Sequence, residues 1–280
     1  MDKKRIVITG ATGFLGRHVA CLFQGHDCAF LLNANATKHD FSAGTQRFFS
    51  VDDLAASFPD PHVVIHLAAH IPYGKFNEPS DAFEEVNVAL TQRLATVFPL
   101  ARWIFASSVS VYGQCTEPVI TLETSVRPDS LYASSKWRAE QIVSQLKDSA
   151  IIRFSSLIGP GMKAVSLIPK WIHQAKQEGR ISVWGQGVRM QNYLDVRDAA
   201  ALVYLLATAN FNGTILGIGS KEYSNMEVAH ILSELMSAEV THTTHADDSG
   251  FRYDDRTTHQ YIGFIPKFEL RETIREMIES

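Results

Sequence analysis

Runs of apolar, β-branched residues alternate with amphipathic stretches along roughly the first 155 residues, and this alternation predicts strands that are each followed by a helix. The runs are apolar at nearly every position, as expected of parallel strands whose two faces are both covered by helices. The predicted strands cover residues 5–9, 28–32, 62–67, 102–107 and 150–154. With helices predicted over 81–98 and 131–147, they indicate an α/β fold built on a doubly wound parallel sheet.

The second half of the chain has a less regular pattern. The predicted elements are helices over 164–178, 224–236 and 267–278, a strand over 181–184, and a return of the core pattern over 192–218. The helix after Ser224 has Glu227 three residues later, which is a capping box. We therefore divide the chain into a core over 1–155 and a mixed segment over 156–280, whose last 40 or so residues form a small lobe.

Three glycines, Gly10, Gly13 and Gly16, lie between the first strand and the following helical pattern in the spacing G-x-x-G-x-x-G. The first permits a tight turn, the second lets the backbone approach a pyrophosphate, and the third lets the helix pack close to the strand. The N-terminus of the helix then faces the phosphates. Because a strand precedes the motif and a helix follows it, the sequence predicts a dinucleotide-binding core of the Rossmann type over 1–155.

The end of the second predicted strand bears on which dinucleotide is bound. An acidic residue there would bind the adenosine ribose hydroxyls of NAD, whereas an Arg would accept the 2′-phosphate of NADP. This chain has Asn33, which can hydrogen-bond a ribose and does not repel a phosphate, and Lys38 is near enough in sequence to meet one. The prediction is NAD, with NADP as a compatible alternative.

Tyr132 and Lys136 lie four residues apart in the predicted helix 131–147, so their side chains share one face about one turn apart. A nearby ammonium favours the phenolate, which should bring the pKa of Tyr132 down from its usual ~10 toward working pH. Tyr132 could then take or give a hydroxyl proton while a hydride moves at the adjacent carbon. Ser108, at the end of the run WIFASS, would hydrogen-bond the same oxygen. Alone, such a pair is equally typical of an ordinary helix surface; its combination with Ser108 and the glycine motif favours catalysis.

Composition narrows the classes of function. The 280 residues are 45% hydrophobic and 20% charged, which are ordinary values for a globular protein with a sizeable core. A net charge of −4 without a long basic run gives no footprint for nucleic acid. Three cysteines without C-x-x-C spacing predict neither a disulfide framework nor a zinc site. With no signal peptide and no apolar stretch that could span a bilayer, we expect a cytoplasmic protein without a membrane partner.

Histidines outside these motifs receive separate predictions. His66 falls inside a predicted strand and is expected to be a hydrogen-bonded core residue rather than a catalyst, whereas His70, just beyond the strand, could line the mouth of a substrate site. A further cluster comprises His242, His245, Asp247 and Asp248. Nothing in the sequence fixes the geometry of that cluster, so it is typical of a solvated loop or edge strand, and no metal site is predicted.

Taken together, the motifs resemble those of the extended short-chain dehydrogenases/reductases, in the NAD-dependent epimerase/dehydratase group that acts on sugar nucleotides. The resemblance covers nearly the whole chain and is more specific for the family than for the substrate. The segments that carry it are TGATGFLG at 9–16, VVIHLAA at 63–69, SSVSVYG at 107–113, YASSK at 132–136, RFSSLIGPG at 153–161 and GQG…NYLDVRD at 185–198.

The resemblance implies a role for each matching residue. Tyr132 would be the acid/base, Lys136 would lower its pKa and hold the nicotinamide ribose, and Ser108 would bind the reacting oxygen. The other residues expected to contact the cofactor are Gly10, Thr12, Gly13, Phe14, Leu15, Gly16, Asn33, Leu67, Ala68, Ala69, Asn87, Ser107 and Phe154. Those expected to contact the substrate are His70, Ser108, Ser156, Arg189 and Gln191. The resemblance also implies a homodimer formed through helices near 81–98 and 131–147.

Two positions on the substrate side depart from the family's pattern. Many epimerases have a phosphate-binding Asn after the fifth strand, and the matching residue here is Ser156. An Arg usually contacts the diphosphate just before the NYL-like segment, but this chain has Gln191, with Arg189 two residues away. Because Arg suits a diphosphate geometrically, either Arg189 or Lys163 compensates, or the substrate is not the usual sugar diphosphate.

The residues leave three functions open. The first is an NAD-dependent sugar-nucleotide epimerase, acting at C4 with Tyr132 as the acid/base. The second is a one-way 4-keto sugar reductase that uses NADPH or NADH with the same residues. The third is a regulatory protein that senses NAD(P) without turnover, although such a protein has no need of an acid/base Tyr. A 4,6-dehydratase is not expected, because the Asp-Glu pair of that group is replaced here by Val109 and Ser110.

Overall fold

The structure, a computed structural model, describes residues 3–32, 46–71, 80–113, 115–244, 250–254 and 256–280. The strands are Arg5–Thr9 (β1), Asp27–Leu31 (β2), Gln46–Phe48 (β3), Val63–His66 (β4), Arg102–Ser108 (β5), Val119–Ile120 (β6), Ser149–Phe154 (β7), Ser156–Ile158 (β8), Arg180–Trp184 (β9), Met190–Asp195 (β10), Gly213–Gly217 (β11), Glu222–Ser224 (β12), Glu239–Thr243 (β13) and Arg252–Tyr253 (β14). The α-helices are Phe14–Leu22 (α1), Val51–Ser57 (α2), Leu90–Val97 (α3), Leu131–Val143 (α4), Leu167–Glu178 (α5), Val196–Thr208 (α6), Asn225–Met236 (α7), Arg256–Ile262 (α8) and Leu270–Glu279 (α9).

A parallel sheet of seven strands, in the order β3-β2-β1-β4-β5-β7-β11, forms the centre of the described chain. The chain runs outward from β1 on one side, then returns beside β1 with β4 and continues on the other side. The order therefore reverses between β1 and β4, and in open α/β sheets a binding crevice forms at the carboxyl ends of the strands at such a point. The predicted Rossmann-like, doubly wound fold is confirmed.

Helices cover both faces of this sheet, which explains why its strands are apolar at successive positions. In β1, Ile6 and Ile8 pack in a cluster with α1 and α6, whereas Val7 packs on the opposite face with α2, α3 and α4. All three side chains are completely buried. Successive side chains of the strand thus point to opposite faces of the sheet. The sequence shows no alternation of apolar and polar residues, because both faces are buried in the core.

Three local features differ from the sequence pattern. The predicted helix 81–98 is π-helical over Phe83–Ala89 and becomes α-helical only in α3. The pattern does not predict β3 or α2: β3 is a three-residue edge strand with two exposed residues, and α2 has only seven residues after its N-cap Ser50. Such short elements carry too few apolar positions to show a period. The helix predicted over 131–147 ends at Val143.

The second half of the chain builds a separate apolar cluster from α5, α7, α9 and β9. Its small sheets have the orders β12-β10-β8 and β13-β9. Of the segment 192–218, α6 packs against α1 and β11 joins the central sheet, while β10 belongs to a small sheet. The capping box at the start of α7 is present, since Ser224 and Glu227 exchange backbone-to-side-chain hydrogen bonds.

A charged group joins the last helix, α9, to the start of α6. Asp195 is buried and accepts hydrogen bonds from Arg197 and from the hydroxyl of Thr273, and Arg197 also reaches Glu276 at 2.8 Å. Burial alone would raise the pKa of Asp195, but the hydrogen bonds from Arg197 and Thr273 hold that pKa below its usual value. The C-terminal helix is therefore fixed beside the end of β10.

No helix among the described residues is both long and apolar enough to cross a membrane. In the same part of the chain, no group of three or more His, Cys, Asp or Glu side chains is arranged to hold a metal ion. His242 is described, and its Nδ1 donates to the carbonyl of Gly185 at 2.8 Å. The other members of the cluster noted in the sequence, at 245, 247 and 248, lie outside the described residues.

Candidate active site

The turn between β1 and α1 is built so closely that glycine is required at two of its positions. Gly10 has φ +71°, and a Cβ there would lie 2.7 Å from the backbone nitrogen of Ala68. A Cβ on Gly16 would lie only 1.9 Å from the carbonyl oxygen of Gly10. The turn therefore packs directly against both the end of β4 and the first turn of α1.

This turn has the features that a dinucleotide pyrophosphate needs. Gly13 is the N-cap of α1 and supplies no side-chain cap, so the first amide groups of the helix face the crevice without a side-chain acceptor. Thr12 and Phe14 are half-buried at its rim, whereas Leu15 belongs to the core. Leu15 would therefore meet a cofactor through its backbone. The predicted cofactor contacts of 10–16 thus lie together, and a dinucleotide fits the turn.

The residue predicted to bind the adenosine ribose follows the end of β2. Asn33 lies outside the described residues, and the described part of this edge ends at Leu32, whose N–H donates to the carbonyl of Phe48 in β3. Asn33 as the ribose ligand therefore stays a prediction.

α4, which carries Tyr132 and Lys136, packs on β5, the strand that ends at Ser108. Ser108 is the last residue of β5, and its Oγ accepts the N–H of Ser110 at 3.1 Å, which caps the 3₁₀ turn that follows. Ser130 caps α4 in the same way by accepting the N–H of Ala133. Tyr132 and Lys136 lie in the first two turns of this helix and are both buried.

Burial of Lys136 sets the electrostatics of the site. Its side chain is 1% exposed and its Nζ lies 4.2 Å from the ring centroid of Phe105 in β5, a cation–π contact. Burial lowers the pKa of Lys136 to about 7, and the Glu140 carboxylate, one turn further along α4, opposes this shift. The ammonium form thus depends on nearby negative charge.

Glu140 is part of a buried ionic group that sequence reasoning missed. Arg153 of β7 donates to both carboxylate oxygens of Glu140, at 2.7 to 3.2 Å, and also to the hydroxyl of Tyr112. Ser107, predicted to contact the cofactor, donates its hydroxyl to Glu140. The sequence does show that residues 132, 136 and 140 share one face of a helix, because they are spaced four residues apart. It does not show that Arg153 binds Glu140, because Arg153 lies on a different element.

The segment after β4, residues 67–70, which we call the wall segment, lies directly beside the glycine turn, and it is held at both ends. At one end the N–H of Ala68 donates to Oγ1 of Thr9 at 3.1 Å. At the other end Asn87 accepts the N–H of His70 at 2.7 Å and donates to its carbonyl at 3.2 Å. Leu67, Ala68, Ala69 and His70 are all half-buried, as expected of residues that flank a cofactor or substrate.

Asn87 and His66 have their polar atoms engaged inside the protein. Asn87 is 1% exposed, and besides His70 it donates to Oγ of Ser135 at 2.9 Å. His66 is completely buried between Thr9, at 2.7 Å from its Nδ1, and Thr91, at 2.8 Å from its Nε2. His66 is thus a hydrogen-bonded core residue, as the sequence indicated. Asn87 holds the wall segment and α4, so its link to a cofactor would run through these two elements.

Three of the predicted substrate contacts, Ser156, Arg189 and Gln191, lie in or next to the small sheet of β8, β10 and β12. Ser156 is exposed in β8, and its strand pairs with β10, where Tyr193 lies opposite Ser156. Gln191, also in β10, donates to Oδ1 of Asn225 at 2.8 Å. Arg189 is exposed just before β10. Burial raises the pKa of Tyr193, and the positive charge of Arg189 opposes this shift. The tertiary structure thus places Ser156 on the strand next to β10, which contains Gln191 and follows Arg189.

Phe154 lies at the end of β7 beside Ser108 of β5. It is 5% exposed and packs against Gly217, where an added Cβ would lie 2.5 Å from its ring. Only a small part of Phe154 can therefore face a cofactor.

The chain matches the NAD dependent epimerase/dehydratase family over residues 6–219. It is 29% identical over 272 residues to a UDP-N-acetyl-alpha-D-glucosaminuronate decarboxylase of Bacillus cytotoxicus, a match that spans 86% of this chain and 83% of the relative. It is 24% identical over 315 residues to the dTDP-D-glucose 4,6-dehydratase of Bos taurus, spanning 99% of this chain and 88% of the relative.

A solved structure with a similar fold is the UDP-N-acetylglucosamine 4-epimerase from Methanobrevibacter ruminantium M1 in complex with UDP-N-acetylmuramic acid. The TM-score is 0.89 at 22% sequence identity, covering 100% of this chain and 98% of that one. These three proteins are named for a decarboxylation, a dehydration and an epimerisation, so likeness to them does not by itself select a reaction.

The glycine turn yields a first prediction. Gly16→Ala should cost about 2 kcal/mol or more of unfolding free energy and weaken dinucleotide binding, because its Cβ would overlap the backbone of Gly10. Gly25→Ala is the matched control, since a Cβ there meets nothing within 4 Å. Urea unfolding and NAD titration of both variants measure the two effects. Equal stability and affinity in the two variants would contradict the close approach.

His66 yields a prediction about pH. Burial, helped by the charge of Lys136, lowers the pKa of His66 to about 3. Between pH 6.5 and 3 the unfolded chain binds a proton here that the folded chain does not, so this residue should remove up to about 1.4 kcal/mol of stability for each pH unit of acidification.

The measurement is urea unfolding of the wild type and of His66→Gln from pH 8 to 4.5. The stability advantage of the wild type should be constant above pH 6.5 and shrink below it. The exposed His230, changed to Gln, is the control. A constant difference for His66→Gln over the whole range would contradict the buried, neutral ring.

Proposed function

The chain belongs to the NAD-dependent epimerase/dehydratase family, and we propose that it epimerises a nucleotide-linked sugar, at C4, with Tyr132 as the acid/base. The family is one of NAD-dependent enzymes, so a catalytic role and NAD as cofactor are given; the position on the sugar and the direction of the reaction are the proposal.

The observation that carries the proposal is that the described turn directly after β5 contains no carboxylate. The two residues after Ser108 are Val109 and Ser110, so the turn offers no acid or base to remove water from a neighbouring carbon. Glu140 is the carboxylate on the catalytic face of α4, and it is 1% exposed and bound by Arg153. Proton transfer at a hydroxyl is then left to Tyr132, which is what an epimerisation at that carbon requires.

The roles of the residues follow from their positions. Ser108 and Tyr132 would both hydrogen-bond the sugar hydroxyl, and Tyr132 would take its proton and later return it. Lys136 would stabilise the phenolate and bind the nicotinamide ribose. When bound, NAD would supply a hydride acceptor that also returns the hydride. The wall segment 67–70 and the glycine turn would hold the cofactor so that the sugar carbon and Tyr132 meet in one geometry.

The substrate class rests on Arg189 and on the small sheet of β8, β10 and β12. Arg189 is exposed beside Gln191, where it could meet a diphosphate, and Ser156 lies on the neighbouring strand. The relatives named for nucleotide-linked sugars favour the same class. A homodimer through the helices near 81–98 and 131–147 remains part of the proposal.

Two further candidates share this site. A 4-keto sugar reductase would use Ser108, Tyr132 and Lys136 to protonate a ketone in one direction, with NADPH or NADH as a dissociable substrate. A sensor of NAD(P) would need the glycine turn but would have no use for a buried Lys beside a Tyr.

The bound nucleotide separates these candidates. Purified protein is denatured, and any released nucleotide is identified by chromatography and mass, after which the intact protein is incubated with UDP-linked and dTDP-linked hexoses. Stoichiometric NAD and interconversion of C4 epimers are expected, because a cofactor that is regenerated in each cycle need not leave. If no nucleotide is released, and if NADPH or NADH is oxidised when a keto sugar is added, the result would support the reductase and contradict the epimerase.

Tyr132→Phe tests the acid/base assignment. It should lower turnover by roughly 10²-fold or more and leave the NAD dissociation constant nearly unchanged, because only the phenolic proton is lost. Tyr261→Phe is the matched control: Tyr261 is 62% exposed and its ring contact with Phe211 is kept in the variant. Wild-type turnover in Tyr132→Phe would exclude the assignment.

A further inference from the structure

A continuous series of buried hydrogen bonds connects the glycine turn to the catalytic helix. It consists of Thr9, His66, Thr91, Asn87, Ser135 and Tyr132, and we refer to it as the polar series. It begins in β1, crosses β4 and α3, and ends at the backbone carbonyl of Tyr132, which accepts the hydroxyl of Ser135 at 2.8 Å. The proposed chemistry assigns no role to His66, Thr91 or Thr9, although all three are fully buried polar residues.

The hydrogen bonds of the polar series can be satisfied in one direction. Thr9 accepts the N–H of Ala68, so its own hydroxyl proton is free to go to Nδ1 of His66. The ring then carries its proton on Nε2 and donates to Thr91. Thr91 in turn donates to the backbone carbonyl of Asn87 at 2.9 Å. His66 is the only member that accepts at one end of a rigid ring and donates at the other.

The polar series also fixes the wall segment 67–70 at both of its ends. Thr9 holds Ala68, and Asn87 holds the N–H and carbonyl of His70. His66 and Thr91 join Thr9 to Asn87, and Asn87 joins the wall to α4 through Ser135. The wall beside the cofactor and the helix that carries Tyr132 are therefore parts of one hydrogen-bonded frame.

We propose that His66 is a positioning residue, which acts through Thr91 and Asn87 to fix Tyr132 relative to the wall segment beside the cofactor. The inference rests on the proposed function only for its effect on turnover; the frame itself is a property of the fold. Because near-attack geometry is sensitive to small displacements, loosening the frame should slow the proton and hydride step more than it weakens NAD binding, which the glycine turn provides.

The surroundings of the ring keep this arrangement in one state. His66 packs edge-on against Trp103 and at a tilt against Phe105, so aromatic rings flank it inside the core. A doubly protonated ring would donate from both nitrogens and deprive Thr9 of its acceptor. Burial, with Lys136 nearby, lowers the pKa of His66 to about 3, so the neutral ring persists at working pH.

Thr91→Val is the informative variant, because it removes the hydroxyl that His66 and Asn87 share in the middle of the polar series while it keeps the shape of the Thr91 side chain and the His66 ring itself. Thr91→Ser is the rescue variant, since it keeps the hydroxyl. Thr96→Val is the matched control on the same helix: Thr96 donates to the carbonyl four residues earlier at 2.9 Å, as Thr91 does, but is exposed and outside the series. His66→Gln is not used here, because it removes the ring packing against Trp103 and Phe105 together with the hydrogen bonds.

The first readout is amide hydrogen exchange, which needs no substrate. In Thr91→Val, exchange should be faster by about fivefold or more both at residues 67–70 and in the first turn of α4. In Thr96→Val, changes should be confined to α3, and Thr91→Ser should resemble the wild type. If exchange in Thr91→Val also changes only within α3, the frame does not exist and the proposal is overturned.

The second readout is kinetic. In Thr91→Val, kcat should fall about tenfold while the dissociation constant of NAD changes by less than about twofold, and Thr91→Ser should recover most of kcat. If Thr91→Val has the same kcat as Thr91→Ser, the positioning role is overturned, even if hydrogen exchange has changed in Thr91→Val. A wild type that turns over no nucleotide sugar would refute the proposed function instead, and the exchange data would then decide the frame alone.

Discussion

The burial of the Lys136 amine is the constraint on which the rest of the site depends. A charge that is removed from water must be compensated by its neighbours. The ring face of Phe105 and the carboxylate of Glu140 compensate it here. Glu140 is itself buried and needs donors of its own, which Arg153 and Ser107 provide. The titratable side chains of α4 are therefore matched by groups on the two neighbouring strands β5 and β7.

The same burial explains why polar groups inside this site form series rather than isolated pairs. Leaving a polar atom unpaired in a dry interior costs more free energy than an ordinary hydrogen bond contributes. Buried groups with more than one donor or acceptor are therefore stabilised when each of these atoms has a partner, and this links them into series. His66 and Asn87 lie on the α3 and α4 side of the sheet and are satisfied in this way. By contrast, the exposed pair Arg138–Glu84 links α4 to the π-helical segment 83–89 without constraining the interior, because solvent can replace it.

The sheet order supplies the geometry that these groups use. Because β1 and β4 are neighbours at the switch point, the glycine turn and the wall segment 67–70 meet at one edge, and a Cβ on Gly10 would already touch Ala68. Because β5 follows β4, Ser108 reaches the same edge. The positions of the glycine turn, the wall segment and Ser108 are thus set by backbone topology, and hydrogen bonds from Thr9 and Asn87 hold the wall segment at its two ends.

The sequence by itself determined what depends on short spacing. Strand runs, the three glycines, Tyr132 with Lys136, and the capping box at Ser224 all follow from periods of two to six residues, and the structure contains each of them. The tertiary structure alone decided the long-range pairs: Arg153 with Glu140, and His66 with Thr9 and Thr91. Their members belong to different elements, and a local pattern contains no information about which buried polar groups packing will bring face to face.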